Sequence, residues 1–108
     1  MVERPEVLDR TYRALAQASR RSMLDMLRSG PLRVTDVAKP FAVSLAAVSK
    51  HLGVLESAGL VTRSVVGRDH LLSLEPGPLV EAGDWIDVYR DFWEERLDAL
   101  ELHLRERR

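Results

Sequence analysis

Residues 43–61 read VSLAAVSKHLGVLESAGLV, a run of small side chains, one lysine, one histidine and evenly spaced aliphatics. At about 100° per residue, Val48, Leu52 and Leu55 fall within about 60° of one another, with Ser44 beside them at the start. That spacing predicts a helix with one packing face. Ser44 suits an N-cap and Gly59 suits the C′ position, so both ends are marked. The opposite face carries Ala46, Ser49, Lys50, Gly53 and Ser57, and Ala47 and His51 lie on the flank. A solvent-facing helix ordinarily displays Glu, Lys and Gln in pairs four apart. Here no acid precedes Glu56, and the outward side chains are short. A major groove about 12 Å wide admits a helix of this kind. An ordinary surface helix rich in alanine and serine fits as well, so the helix alone leaves two readings.

Its surroundings separate them. Upstream, Leu8, Tyr12, Leu15 and Ala16 recur at helical spacing after Pro5, which is tolerated near a helix start. Ser19 is the expected N-cap of a second helix with Met23, Leu24 and Leu27 on one face, stopped by Gly30-Pro31. A short extended piece, Leu32-Arg33-Val34, leads to a third helix expected to begin at Thr35-Asp36 and end near Lys39-Pro40. Phe41-Ala42-Val43 then makes a tight helix-turn-helix connection. After Gly59, LVTRSVV and DHLLSLE read as a two-stranded hairpin with its tip near Gly67-Arg68, ended by Pro76-Gly77-Pro78. A long helix follows from Leu79 to about Leu104.

The hairpin carries Arg63, Arg68 and His70 at and below its glycine tip. A helix-turn-helix followed by a basic hairpin is the winged-helix arrangement, in which the helix meets base edges and the wing meets phosphate or the minor groove. The expected fold is therefore mainly α with a small β-hairpin. The candidate DNA contacts are Ser44, Ala46, Ala47, Ser49, Lys50 and His51 on the helix and Arg63, Arg68 and His70 on the wing. Charges on a hairpin more often simply solvate an edge; their place after a groove-compatible helix favours contact.

Composition bounds the remaining classes. The 108 residues are about one domain long, and 45% hydrophobic content suffices for one modest core. We expect a single domain over 1–108, divided into a first helix (1–18), the helix-turn-helix and wing (19–75) and a last helix (79–108). No apolar run approaches the ~20 residues that span a bilayer, and the start VERPEVLDR lacks the form of a secretory signal. The chain has no cysteine, which removes thiolate metal sites and is compatible with a reducing cytosol, so the expected location is cytoplasmic. The net charge of −1 hides a split of +3 over residues 1–78 and −4 over 79–108. Any anionic partner should meet the first part.

The runs ALAQASRRSMLDMLRSGPLRVTDVAK and VSLAAVSKHLGVLESAGLVTRSVVGRDHLLSLE resemble the ArsR family of bacterial winged-helix repressors. The resemblance covers roughly residues 12–75 and is most specific in AVSKHLGVLESAGLV. It implies a homodimer that binds a short palindromic operator in double-stranded DNA and represses, often at its own promoter. Metal-sensing members carry a Cys-x-Cys-type pair where this chain has Arg33 and Thr35. A guanidinium is a fixed cation and cannot replace a thiolate ligand. Other members use Asp and His ligands on the last helix, where this chain offers only His103 among carboxylates. The expectation is a member with no sensing metal and no cofactor; the effector, if any, is not legible.

On the last helix, Asp84, Asp87, Asp91, Glu94, Glu95 and Asp98 share an arc of about 100°. Trp85, Ile86, Tyr89, Phe92, Trp93, Leu97, Leu100 and Leu104 occupy the other side, including both tryptophans of the chain. So small a core cannot absorb that many aromatics, so part of the stripe should meet another chain while part packs inward. The candidate dimer contacts are Leu8 and Tyr12 on the first helix and Trp85, Tyr89, Trp93, Leu97 and Leu100 on the last. The acidic arc reads as a solvated face, as a means of keeping this end away from phosphate, or, least readily, as a hard-metal site. No catalytic constellation stands out: Ser49, Lys50 and His51 diverge by about 100° each on a helix, and there is no phosphate-cradling glycine loop. The reading is not an enzyme; the alternative to a DNA-binding regulator is a winged-helix module for protein–protein contact.

Overall fold

Proline at the first position opens α1 (Pro5–Leu15), and the chain then forms α2 (Ala18–Met26), a one-turn 3-10 helix (Leu27–Ser29), β1 (Leu32–Arg33) and α3 (Val34–Ala38). Residues 43–61 supply α4 (Leu45–Ser57), followed by β2 (Val61–Val66), β3 (Asp69–Leu74) and α5 (Gly77–Glu106). The computed structural model describes residues 4–107. Residues 1–3 and 108, parts of the expected first and last segments, lie outside the described residues.

The core forms around the predicted face of α4. Val48, Leu52 and Leu55 are fully buried with Met23, Val37, Leu60 and Leu72, and Leu24 and Leu27 are nearly so. The second helix therefore presents the expected side. In α1 the buried residues are Thr11 and Ala14, one step from the expected line of Leu8, Tyr12 and Leu15, and Ala16 lies exposed beyond the helix end. Thr11 tolerates burial because its hydroxyl donates to the Val7 carbonyl at 2.8 Å.

Both marked ends of α4 hold. The Ser44 hydroxyl accepts from the Ala47 N–H at 3.1 Å. At the other end, Gly59 has φ 75°. Its N–H donates to Glu56 O and the Leu60 N–H to Leu55 O, each at 3.0 Å, which is the Schellman closure. Two other caps differ from expectation. Gln17 rather than Ser19 precedes α2, and Arg33 rather than Thr35 precedes α3, neither making a side-chain cap bond. A serine or threonine near a helix start is a weak local signal that packing readily overrides.

The wing turns at Gly67, whose φ of 64° matches the left-handed position a two-residue hairpin loop demands. Val61 pairs with Leu74 and Val66 with Asp69. The sheet has three strands, not the expected two: β1 joins β3 antiparallel, Leu32 opposite Leu72, giving the order β1-β3-β2. That pairing spans some forty residues of chain and leaves no local trace in the sequence.

α1 ends without a glycine, and its last carbonyls are taken by arginines. Arg20, nearly buried, donates from Nε to Ala14 O at 2.7 Å and from Nη2 to Arg13 O at 2.8 Å. Arg21 donates to Leu15 O at 2.6 Å. These are orphan acceptors at the negative end of the helix dipole, so a cation is well placed there. Nη1 of Arg20 also lies 3.3 Å from His51 Nδ1 on α4. One guanidinium thereby joins three helices.

α5 begins two residues earlier than expected and packs chiefly on α1. The Tyr12 hydroxyl donates to Ala82 O at 2.7 Å, its ring meets Trp85 at 6.0 Å, and Arg4 pairs with Glu81. Burial raises the Tyr12 phenol above its ordinary value. Its neutral form is thus favoured in the fold, and that contribution persists below the ordinary phenol pKa and is lost as pH rises through the raised one. Among the described residues no helix is long and apolar enough to cross a membrane.

Arg20→Ala strands the Arg13 and Ala14 carbonyls and loosens α1 from α4. It should lower unfolding free energy by about 2–3 kcal/mol, read as a drop in the urea midpoint with unchanged m-value. An unchanged midpoint would remove Arg20 from the account of the core.

Candidate nucleic-acid interface

The packing of Val48, Leu52 and Leu55 settles which side of α4 faces outward. Ala46, Ser49, Lys50, Gly53 and Ser57 are exposed, and Ala47 and His51 are half-buried on the flank. Ser44 is exposed but its oxygen is engaged as the cap acceptor, leaving its hydroxyl proton free to donate. His51 lies on the flank, as its place on the wheel predicts, and its ring is engaged from the core side. Its Nδ1 turns toward buried Arg20, and a neutral ring accepting there keeps only Nε2–H for any other partner.

The wing cations do gather. Arg63, Arg68 and His70 line a cleft of about 210 Å³ with Arg33, Thr35, Leu45 and Asp69, beside the N-terminal end of α4. Within it the three are not equivalent. Arg63 is held by Glu56 of α4 at 2.7 Å, both side chains being about 30% exposed (29% and 31%), and lies 3.5 Å from His70 Nδ1. It braces the wing against α4 before it can serve any ligand. Arg33 lies 3.7 Å from Asp69. Arg68, at the tip, has no acidic partner among the described residues. Sequence reasoning treated Arg33 only as a replacement for a metal ligand; its contribution to this cleft depends on the β1–β3 pairing.

Lys50 is not brought to the wing. It lines a second cleft, of about 380 Å³, between α1 and α4, with Arg10, Arg13, Gly53, Val54, Ser57 and Ala58. The exposed face of α4 is therefore flanked by cations on two sides, one set from the wing and one shared with α1. Arg10 and Arg13 were missed because neither lies near the motif; their spacing of three on one helix was the available signal.

Of the candidate dimer residues, those on α5 are exposed. Leu8 and Tyr12 are half-buried on α1 and line a groove of about 370 Å³ with Pro5, Asp9, Trp85 and Ile86. Trp85 meets Tyr89 at 5.0 Å, and Phe92 meets Trp93 at 5.9 Å under the Arg96 guanidinium. Trp93 and Leu97 are each 60% exposed and Leu100 52%. The expected inward share of the stripe is small: on α5 Ala82 is buried and Leu79 joins the core edge, while every residue from Val88 to Arg107 is exposed. Among the described residues no three His, Cys, Asp or Glu side chains gather as metal ligands would.

Gly53 sits mid-helix on the outward face, and a Cβ there would meet nothing within 4 Å. Internal crowding therefore does not require the glycine. Gly53→Ala should stabilise the fold by about 0.5–1 kcal/mol, a rise of a few degrees in Tm by calorimetry; a fall would reveal a steric constraint that the packing lacks.

Comparison with known proteins bears on this geometry. A family described as a helix-turn-helix domain matches residues 15–64. A crystal structure of an ArsR-family transcriptional regulator superposes with a TM-score of 0.80 at 33% identity, covering 87% of this chain and 97% of that one. The transcriptional regulator Rv2034 of Mycobacterium tuberculosis is 41% identical over 68 residues, 63% of this chain but only 64% of that regulator. A homodimeric winged helix-turn-helix DNA-binding domain from Mycobacterium bovis shares the fold at TM-score 0.61 and 24% identity, covering 86% of this chain and 83% of that one.

Proposed function

Because this chain belongs to the ArsR family of transcriptional regulators, we propose that it is a homodimeric, sequence-specific DNA-binding regulator acting in the bacterial cytoplasm. The observation that carries the reading is the exposed face of α4, short-chained and free of acids before Glu56, between two cationic clefts. Ala46 and Ser49 would meet base edges in a major groove, with Lys50 toward a flanking phosphate and Ser44, Ala47 and His51 at the margin. Arg68 at the wing tip would meet phosphate, and Arg63 and His70 would hold the wing in position.

Support for dimerisation comes from α5. The exposed residues Trp85, Tyr89, Trp93, Leu97 and Leu100, with half-buried Leu8 and Tyr12 on α1, offer an apolar surface suited to a second chain. A twofold pairing buries it isologously. The Mycobacterium bovis domain with the same fold is homodimeric. Two recognition helices about 34 Å apart, one turn of DNA, would then read the two halves of a palindromic operator. A dimer seated on its promoter represses by occlusion, and autorepression needs only such a site upstream of its own gene. The acidic arc of α5 would face away from phosphate.

Affinity for a duplex from the upstream region should fall steeply with salt. Lys50→Ala or Arg68→Ala should each reduce the log–log slope by about 0.9 for every phosphate that is no longer neutralised, measured by fluorescence anisotropy. Unchanged affinity and slope in both variants would instead favour a protein-contact module.

Trp93→Ala combined with Leu100→Ala should weaken the dimer and, with it, operator affinity. Sedimentation equilibrium on the wild type tests the premise, and a monomer at micromolar concentration would defeat the dimer reading.

A further inference from the structure

The cleft between α1 and α4 has a composition that the groove-reading face does not require. Arg10 and Arg13 stand three apart on α1, which sets them on one side of that helix, and Lys50 faces them from α4. No carboxylate lines the cleft, and none of the three cations takes part in an ion pair among the described residues. Arg4, Arg33, Lys39, Arg63, Arg90 and Arg105 each have an acidic partner, while Arg28, Arg68, Arg96 and Arg107 share with the cleft cations the lack of one among the described residues. Arg20 and Arg21 are occupied by backbone carbonyls. From α4 the cleft is further lined by Gly53, Val54, Ser57 and Ala58, mostly small side chains, and a Cβ at Gly53 would meet nothing within 4 Å. Three like charges around one cleft, with no counter-charge among its lining, make it a favourable place for an anion from outside.

We infer that Arg10 and Arg13, with Lys50, form a clamp for a backbone phosphate of the DNA strand on the side of the groove away from the wing. The inference rests on the proposed DNA-binding role and extends it. A helix lying in a major groove has a sugar–phosphate strand on each flank. The wing cleft, with Arg68, attends one flank near the head of α4; the α1 cleft attends the other near its C-terminal half. Guanidinium groups match phosphate oxygens with paired donors, so two of them fix orientation as well as charge. The clamp sets how α4 sits in the groove and carries no sequence information of its own. Because α1 also bears Leu8 and Tyr12 of the dimer stripe, the phosphate clamp and the dimer surface lie on one rigid helix.

The test uses the full-length protein, a mixed-sequence duplex several helical turns long, and salt varied between about 50 and 200 mM. Arg10→Gln with Arg13→Gln should reduce the log–log slope by about 1.8 per protomer, two neutralised charges at about 0.9 each. Weakening should be equal for mixed-sequence and upstream-region duplexes. Both side chains are exposed, so the thermal midpoint should hold, and Arg10→Lys with Arg13→Lys should recover most of the slope. If the double glutamine variant keeps the wild-type slope while Arg68→Ala loses part of it, the clamp is wrong and DNA binding stands. If the wild type shows no salt-dependent binding to any duplex, DNA binding and clamp fall together. In a second arm, inorganic phosphate is titrated at constant ionic strength and followed by NMR at the Arg10 and Arg13 side chains. Saturable binding there with an unchanged DNA slope assigns the cleft to a small anion and overturns the clamp.

Discussion

One nearly buried guanidinium joins the three helices from which the rest is built. Arg20 accepts the cost of desolvation because every direction it faces offers an acceptor: the Arg13 and Ala14 carbonyls and the His51 ring nitrogen. Together with Arg21 on Leu15 O it does for α1 what a terminal glycine does for α4. The difference matters. A glycine cap closes a helix on itself, whereas an arginine cap closes it onto another element. α1 is therefore fixed relative to α2 and α4, and α1 in turn carries α5 through Tyr12 and Arg4.

The same economy holds at the other end of α4. Its Schellman closure directs Leu60 and Val61 into the core and so launches the wing from a defined point. The Glu75 N–H returns to Leu60 O at 2.8 Å and seals the base of the hairpin. Arg63 on Glu56 then ties the first wing strand back to α4. The wing cations owe their arrangement to these contacts. An exposed ion pair by itself contributes little to stability; here its consequence is geometric, since it decides which of two wing arginines stays available.

α5 belongs to a different physical regime. The domain's longest dimension is 68 Å against 32 and 21 Å for the others, and this helix accounts for much of the excess. Its aromatics stack on one another along one face rather than entering a core. In the single chain they stay exposed. The proposed dimer resolves that imbalance, and the acidic arc on the other side leaves the cationic half of the molecule to face an anionic partner.

Periodicity determined from sequence alone that α4 has a buried face of Val48, Leu52 and Leu55, and turn chemistry at Ser44, Gly59 and Gly67 determined where it starts, ends and reverses. The outward residues of the candidate site were legible for the same reason. These signals act within a turn of chain, so local pattern suffices. The caps expected at Ser19 and Thr35 do not form because packing outweighs a single side-chain hydrogen bond. Other features belonged to the tertiary structure only: β1 beside β3, Arg20 among three helices, His51 turned inward, Arg63 on Glu56, and Lys50 grouped with Arg10 and Arg13 instead of the wing. Each joins residues that no periodic pattern relates. Their meeting is set by how the elements pack, and a charge or a hydrogen-bond donor carries no mark in the sequence of the partner it will find.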